Sequence, residues 1–303
     1  MNERSCVDWK RILFYTALAC AIAWAGALII HFTGGLSNSP YLVVVLTVMY
    51  MGAPSFAHIL TRWITHEGWQ NLYLKPLLRS GWPYWLVGWF GPGLLTVVGL
   101  VVFMLVFPSH YDPSLETVRR LVATQAGTAA DSINPWTIVF SQALTAFLIA
   151  PIINALPTFG EEFGWRAYLL PKLMPLGERA ALIVSSIIWG VWHWPLIAMG
   201  HNYGLDYPGA PWTGMLMMVW FTVVTGTLLG WAAHRSGSVW PAVIGHGALN
   251  GIAAIGVLVI RGQPNPLLGP TPVGFIGAVG FTVVALAILA VSPRQRSASQ
   301  GSE

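Results

Sequence analysis

Charged side chains are scarce in this sequence: Asp, Glu, Lys and Arg together make up 9% of its 303 residues. An average soluble domain carries about 25% charged residues, whereas hydrophobic residues here reach 55%. The chain therefore has too few charges to solvate the surface of a soluble protein of this size. The net charge of +4 is also too small to indicate a nucleic-acid partner. The composition predicts a membrane protein whose surroundings are the lipid bilayer.

Cysteine is also rare, with two residues in the chain. Cys6 precedes the first apolar run and Cys20 lies inside it, so the sequence indicates no disulfide framework and excludes a cysteine metal site. The abundant residues agree with a membrane location, because the 16 Trp and 32 Gly are types enriched at membrane interfaces and within membrane helices.

Eight apolar runs approach the length of about 20 residues that a helix needs to cross a bilayer. They are Ile12–Phe32, Pro40–Thr61, Pro83–Phe107, Pro135–Leu156, Ala180–Met199, Pro211–Ala233, Val239–Ile260 and Pro272–Val291. We therefore predict an all-α fold, a polytopic transmembrane helix bundle of about eight spans. The first run resembles a signal peptide, but it continues past the small-residue site, and we expect an uncleaved helix.

These runs divide the chain into five parts. Residues 1–11 are expected to form a cytoplasmic N-terminus, and residues 12–134 the first three transmembrane helices with their loops. Residues 135–260 form a membrane core that carries the candidate chemistry, and residues 261–292 contain the last transmembrane helix. Residues 293–303 are polar, and we expect them to be a disordered cytoplasmic tail.

Lysine and arginine fall mainly on one side of the predicted bundle. With the N-terminus inside, the inner residues are Arg4, Lys10, Arg11, Arg62, Lys75, Arg79, Arg166, Lys172, Arg179, Arg235, Arg294 and Arg296. The outer residues are Arg119, Arg120 and Arg261. Because positive charge accumulates on cytoplasmic loops, we expect both termini to be cytoplasmic and the protein to lie in the cell membrane.

Glu161 and Glu162 directly follow an apolar run, whereas nearly all other acidic residues fall in loops or tails. Ionisable groups at membrane depth are costly and usually functional. Glu162 and Arg166 have the i,i+4 spacing of a helix ion pair, which leaves Glu161 on another face. We interpret Leu156–Glu178 as the cytoplasmic continuation of the fourth helix, followed by an interfacial elbow. Alternatively, both glutamates are simply solvated at a helix end.

Histidine and asparagine supply the other polar groups inside the apolar runs. His193 lies in the fifth run, and His246 and Asn250 share one helix face of the seventh,. Gly247 and Gly251 have the same spacing and favour close helix packing. Taken singly, a lone His is more often a core residue, and a His–Asn pair can simply join two helices. Together with a carboxylate, however, these groups can activate water and stabilise an oxyanion.

These residues resemble the motifs of the CAAX-processing and bacteriocin-processing (CPBP or Abi) intramembrane proteases, relatives of the Ras-converting CAAX prenyl endopeptidase. The family motif Glu-Glu-x-x-x-Arg is matched by Glu161, Glu162 and Arg166. The motif His-x-x-x-Asn is matched by His246 and Asn250. Both motifs occur in the order that the family shows.

A third family motif, Phe-x-x-x-His, is matched in part. His193 is present, but Trp189 replaces the phenylalanine, an exchange expected to change packing rather than chemistry. We expect Trp189, with Glu162 and Arg166, to support the site structurally. The resemblance covers residues 137–251.

The resemblance implies an eight-helix bundle with a cavity open towards the cytoplasm and the membrane. It also implies endoproteolysis of a membrane-anchored peptide or protein substrate. In such a site Glu161 and His193 would activate the water, and His246 and Asn250 would hold the oxyanion.

The cofactor and the function class both have alternatives. A zinc ion held by Glu161, His193 and His246 stays open, but we favour a site without a cofactor because each ligand would come from a different helix. A non-catalytic bacteriocin-immunity or peptide-binding membrane protein is a second interpretation. A proton-coupled transporter is a third, and it would be favoured by internal repeats, which we do not find in the sequence.

Overall fold

The computed structural model describes residues 6–126 and 133–293, and every regular element in these ranges is helical. In chain order the main helices are α1 (Trp9–Phe32), α2 (Leu42–Ile64), α3 (Leu78–Val106), α4 (Glu116–Ala126), α5 (Pro135–Leu148), α6 (Ala155–Gly164), α7 (Glu178–Trp192), α8 (Trp194–Ala198), α9 (Trp212–Ser236), α10 (Trp240–Ile252) and α11 (Val279–Val291). The predicted all-α fold is confirmed. The predicted tail, residues 293–303, lies outside the described residues except for Pro293.

In the part of the chain that the structure describes, five helices are long and apolar enough to cross a membrane: α1, α2, α3, α9, and α10 together with the 3₁₀ turn that extends it to Val259. These spans make the chain an integral membrane protein. The remaining predicted runs form shorter pieces. Helices α5 and α11 are apolar but have 14 and 13 residues, and the fifth run is split into α7 and α8.

Proline explains why the fourth run is not one continuous helix. Helix α5 ends at Leu148, three residues before Pro151, which lacks the N–H that would bond to the carbonyl four residues earlier. That carbonyl belongs to Phe147, and it accepts a hydrogen bond of 2.8 Å from the indole of Trp89 instead. The eighth run is shorter than predicted because its helix begins at Val279 rather than at Pro272.

One end of the bundle, which we call the basic end, joins the start of α1 to the ends of α2, α9 and α11. Arg11 donates to the hydroxyl of Thr65 at 3.0 Å, and Arg235 forms an ion pair of 2.8 Å with Glu178. Arg179 donates to the carbonyls of Ser292 and Ala290. These contacts place the loop 65–77 and the turn at residues 174–177 at the same end.

The opposite end, which we call the loop end, is made of the segments 107–115, 199–211 and 260–278. The hydroxyl of Tyr203 donates to the carbonyl of Val273 at 2.9 Å. The backbone of Arg261 donates to the carbonyl of His110 at 2.8 Å. The chain therefore crosses between the basic end and the loop end.

Glycines on both sides of the candidate residues let three helices approach closely. A Cβ atom at Gly160 would meet the backbone oxygen of Met51 at 2.6 Å, and one at Gly164 would collide with Pro54. On α10, a Cβ at Gly251 would collide with Ala150. Helix α6 is thereby packed against α2, and α10 against the short helix Ala150–Ile153, as the glycine spacing on α10 predicts.

Candidate active site

A cavity of about 320 Å³ lies between α2, α6, α7, α9 and α10. Glu161, His193, His246 and Asn250 all line it. The four candidate catalytic residues predicted from the sequence therefore share one cavity. The remaining lining is mostly apolar and comes from Leu46, Tyr50, Met51, Trp189, Trp192, Leu196, Met218, Phe221, Leu249, Ala253 and Val273, with His201 and Asn202 at one edge.

Both glutamates are buried. Glu161 is 3% exposed and Glu162 is fully buried, so the alternative of two solvated carboxylates at a helix end is wrong. The helix continues through a π-helical turn at Trp165–Leu169 to Leu173, and most of this stretch is buried. It is therefore a packed part of the bundle rather than a cytoplasmic extension.

Glu162 faces away from the cavity and binds two partners with the same oxygen. Its Oε1 accepts a hydrogen bond of 3.0 Å from Nη1 of Arg166 and another of 2.9 Å from Nδ1 of His246. The predicted i,i+4 pair with Arg166 is present, and both side chains are almost completely buried. Because Glu162 is used in this way, Glu161 is the carboxylate of the pair that lines the cavity.

His193 lies at a break between α7 and α8. Pro195 has no N–H with which to continue the helical hydrogen bonding. The next N–H, that of Leu196, bonds to the carbonyl of His193 at 3.0 Å, so the carbonyl of Trp192 accepts from the hydroxyl of Tyr50 at 2.7 Å and the indole of Trp24 at 3.1 Å. The Nδ1 atom of His193 lies 2.8 Å from the carbonyl of Trp189. A carbonyl can only accept, so Nδ1 carries the proton and Nε2 is left as an acceptor.

His246 and Asn250 come from one face of α10, as predicted. Two side chains hold this helix against α6: Thr158 donates to the carbonyl of Val243 at 3.0 Å, and Asn154 donates to that of Gly247 at 2.9 Å. His246 is 5% exposed, whereas Asn250 is exposed. The histidine is thus fixed between the cavity and Glu162, and the amide lies at a more open part of the wall.

Trp189 makes a contact that a phenylalanine could not make. Its indole Nε1 donates a hydrogen bond of 2.8 Å to Oε2 of Glu161. The guanidinium of Arg166 lies 4.4 Å from the centroid of the same indole. The expectation that this position changes packing rather than chemistry is therefore incomplete, because the exchange adds a donor to the candidate carboxylate.

Several residues around the cavity carry no motif and were missed from the sequence. Tyr50, His201 and Asn202 line it, but they lie in a helix and a loop with no distinguishing pattern. His58 also carries no motif, yet it is fully buried. It bonds to the carbonyl of Phe163 at 2.9 Å, which supports α6 directly beside the glutamates.

Within residues 6–126 and 133–293, no three His, Cys, Asp or Glu side chains are grouped closely enough to hold a metal ion. A catalytic zinc usually takes three protein ligands around one ion. Glu161, His193 and His246 share the cavity, but they do not form such a group.

No curated protein sequence matches the chain significantly. Residues 135–252 match the family model described as type II CAAX prenyl endopeptidase Rce1-like. The matched segment runs from the start of α5 to the end of α10 and includes all seven motif positions. It agrees with the family identified from the three motifs. Residues 135–252 of this integral membrane protein are therefore similar to the type II CAAX prenyl endopeptidase Rce1-like family.

Proposed function

We propose that this protein is an intramembrane endopeptidase that cleaves membrane-anchored peptides or proteins. The observation that carries the proposal is the single cavity lined by Glu161, His193, His246 and Asn250. A carboxylate, two imidazoles and an amide in one mostly apolar cavity can perform the proton transfers and charge stabilisation that amide hydrolysis requires. The Rce1-like domain supports a peptidase of this class.

In the proposed reaction, Glu161 takes a proton from a water molecule as that water attacks the scissile carbonyl. Glu161 then passes this proton to the amide nitrogen as the C–N bond breaks, so that a carboxylic acid and an amine are released. The hydrogen bond from Trp189 to Oε2 fixes one oxygen of the carboxylate and leaves Oε1 for the water. His193 has Nε2 free to accept because its Nδ1 donates to the protein backbone. The two groups can therefore orient one water from two sides.

His246 and Asn250 stabilise the negative charge that develops on the carbonyl oxygen. The amide of Asn250 is a donor as it stands. His246 donates from Nε2 when both its nitrogens carry protons, and the carboxylate of Glu162 at Nδ1 balances the charge of that form,. Glu162 and Arg166 thus support His246 from outside the cavity, whereas Glu161 lines the cavity and acts on the water.

We propose that none of these steps uses a resident metal, because the proton transfers and the oxyanion contacts are supplied by side chains. Elemental analysis of chelator-washed protein tests this part. We expect full turnover without stoichiometric zinc. Activity that is lost with one bound zinc per chain and returns with its addition would contradict it.

The experiment for the proposed function uses purified full-length protein in lipid vesicles with a library of membrane-anchored peptides. Mass spectrometry of the products should show new peptide ends with the wild type and none with Glu161→Ala. Glu116→Ala is the matched control, because Glu116 is an exposed glutamate that does not line the cavity. Saturable peptide binding without cleavage by the wild type would favour a binding or immunity protein and overturn the proposal.

A further inference from the structure

The cavity occupies only one half of the bundle. Helix α7 runs from the basic end to the loop end. The residues of this segment that line the cavity are at the end of α7 and beyond it, as far as Leu196 and His201. Helix α9 runs the other way, and its lining residues Met218 and Phe221 are in its first half. On α10 the lining begins at His246 and continues towards the loop end. The cavity thus extends from the candidate site to the loop end.

The space between the site and the basic end is filled. Beyond Glu161 in the direction of that end, α6 and the π-helical turn place Glu162, Trp165, Arg166 and Tyr168, each at most 5% exposed. The indole of Trp165 packs against Tyr15 of α1 at 5.8 Å between ring centroids. These side chains separate the site from the basic end.

The cavity has exposed residues on the other side. Asn202 is exposed and lines the cavity, and it also lines a second cavity of about 570 Å³ at the loop end. This second cavity lies between the segments 202–208 and 263–271. Asn250, the other exposed residue of the site, is likewise on the loop-end side of His246. Asn202 therefore lies in the wall of both cavities.

The distribution of Lys and Arg among the described residues indicates which side of the membrane each end faces. The basic end carries Lys10, Arg11, Arg62, Lys75, Arg79, Lys172, Arg179 and Arg235, and the loop end carries Arg119, Arg120 and Arg261. Because cytoplasmic loops are the ones enriched in Lys and Arg, this distribution assigns the basic end to the cytoplasm. The loop end is then extracytoplasmic.

We propose that the substrate reaches Glu161 from the extracytoplasmic side, through the second cavity and past Asn202. This inference rests on the proposed function and adds the substrate class: an extended peptide segment that emerges at the outer surface from a membrane-anchored protein. The lining by Tyr203, Asp206 and Tyr207 together with several prolines offers polar and apolar contacts for such a segment. This extracytoplasmic route differs from the cytoplasmic opening that the family resemblance implies.

The side of the membrane is tested by thiol labelling in intact cells, which does not depend on turnover. The native cysteines are first removed as Cys6→Ser and Cys20→Ser, and Asn202→Cys is compared with Lys75→Cys, an exposed position at the basic end. A membrane-impermeant maleimide should label Asn202→Cys in intact cells as fully as after permeabilisation. It should label Lys75→Cys only after permeabilisation. Any other pattern overturns the extracytoplasmic assignment.

The route is tested with the same two variants as purified proteins in vesicles. A bulky maleimide adduct at Asn202→Cys should reduce cleavage of a membrane-anchored peptide by at least about tenfold, because it would occupy space beside both cavities. The adduct at Lys75→Cys should leave cleavage unchanged. Unchanged cleavage by the Asn202→Cys adduct would overturn the route. Failure of both unlabelled proteins and the wild type to cleave would overturn the proposed function instead.

Discussion

The indole nitrogen of Trp189 lies 2.8 Å from Oε2 of Glu161 and donates a hydrogen bond to it. The two residues come from neighbouring helices and are 28 positions apart in the chain. The same indole stacks under the guanidinium of Arg166. Trp189 therefore connects the Glu-Glu-x-x-x-Arg motif to the helix that carries His193.

Trp189→Phe should reduce kcat by roughly ten- to a hundredfold and leave KM nearly unchanged. Phenylalanine keeps the ring but removes the donor, and a hydrogen bond to a charged group contributes about 1.5–3 kcal/mol. The matched control is Trp165→Phe, because the indole nitrogen of Trp165 is buried and has no hydrogen-bond partner in the described part of the chain. Steady-state kinetics on one cleaved peptide compare the two variants. Equal effects would show that Trp189 acts through packing alone.

Asn250→Ala should lower the catalytic rate roughly a hundredfold, with little change in substrate affinity. Loss of one oxyanion donor typically costs about 3 kcal/mol of transition-state stabilisation. Single-turnover rates and a separate binding measurement distinguish the two quantities. If affinity falls while the single-turnover rate is retained, Asn250 binds substrate and does not hold the oxyanion.

Glu162→Gln should destabilise the protein, because it leaves the buried guanidinium of Arg166 without its carboxylate. Removing one partner of a buried ion pair costs about 3–5 kcal/mol. Glu116→Gln is the control, since the Glu116–Arg120 pair has the same spacing but is exposed, and such pairs contribute about 0.5 kcal/mol or less. Thermal unfolding in detergent measures both. Equal melting temperatures for the two variants would contradict the buried role of Glu162.

Glu67 should make stability depend on pH in the acidic range. Burial raises the pKa of this carboxyl, but the ammonium of Lys172 at 2.6 Å and the hydroxyl of Tyr168 lower it more, so it titrates below its ordinary 4.5. A lowered folded pKa gives a stabilisation that is present above the unfolded value and is lost as the pH falls through the folded value.

The corresponding measurement is the melting temperature between about pH 7 and pH 3. The wild type should lose stability as the pH falls below about 4.5. Glu67→Gln should be less stable at neutral pH and should show a smaller decrease over the same range. Parallel curves for the two proteins would mean that Glu67 is not stabilised by Lys172.

The sequence predicted which residues share the cavity better than it predicted the path of the backbone between them. The i,i+4 spacing predicted the Glu162–Arg166 pair and the shared face of His246 and Asn250, because helical geometry alone determines these relations. The burial of α6 could not be predicted in this way. It depends on Gly160 and Gly164 meeting α2, a contact between segments about a hundred residues apart.

The proline breaks illustrate the same limit. Pro151 and Pro195 are visible in the sequence, but a long apolar run does not show whether a proline will divide it. The donors that bond to the freed carbonyls, Trp89 for one break and Tyr50 for the other, come from distant helices. Tertiary structure therefore decides where the fourth and fifth runs break.

The central claim is that Glu161 is the base that activates water in a peptidase. The most direct measurement is the cleavage rate of one membrane-anchored peptide by wild type and Glu161→Gln, each in vesicles and each with its melting temperature recorded. We predict that Glu161→Gln melts close to the wild type and cleaves roughly 10²- to 10⁴-fold more slowly, the contribution typical of a positioned general base. A folded Glu161→Gln protein that cleaves within about twofold of the wild-type rate would contradict this mechanism.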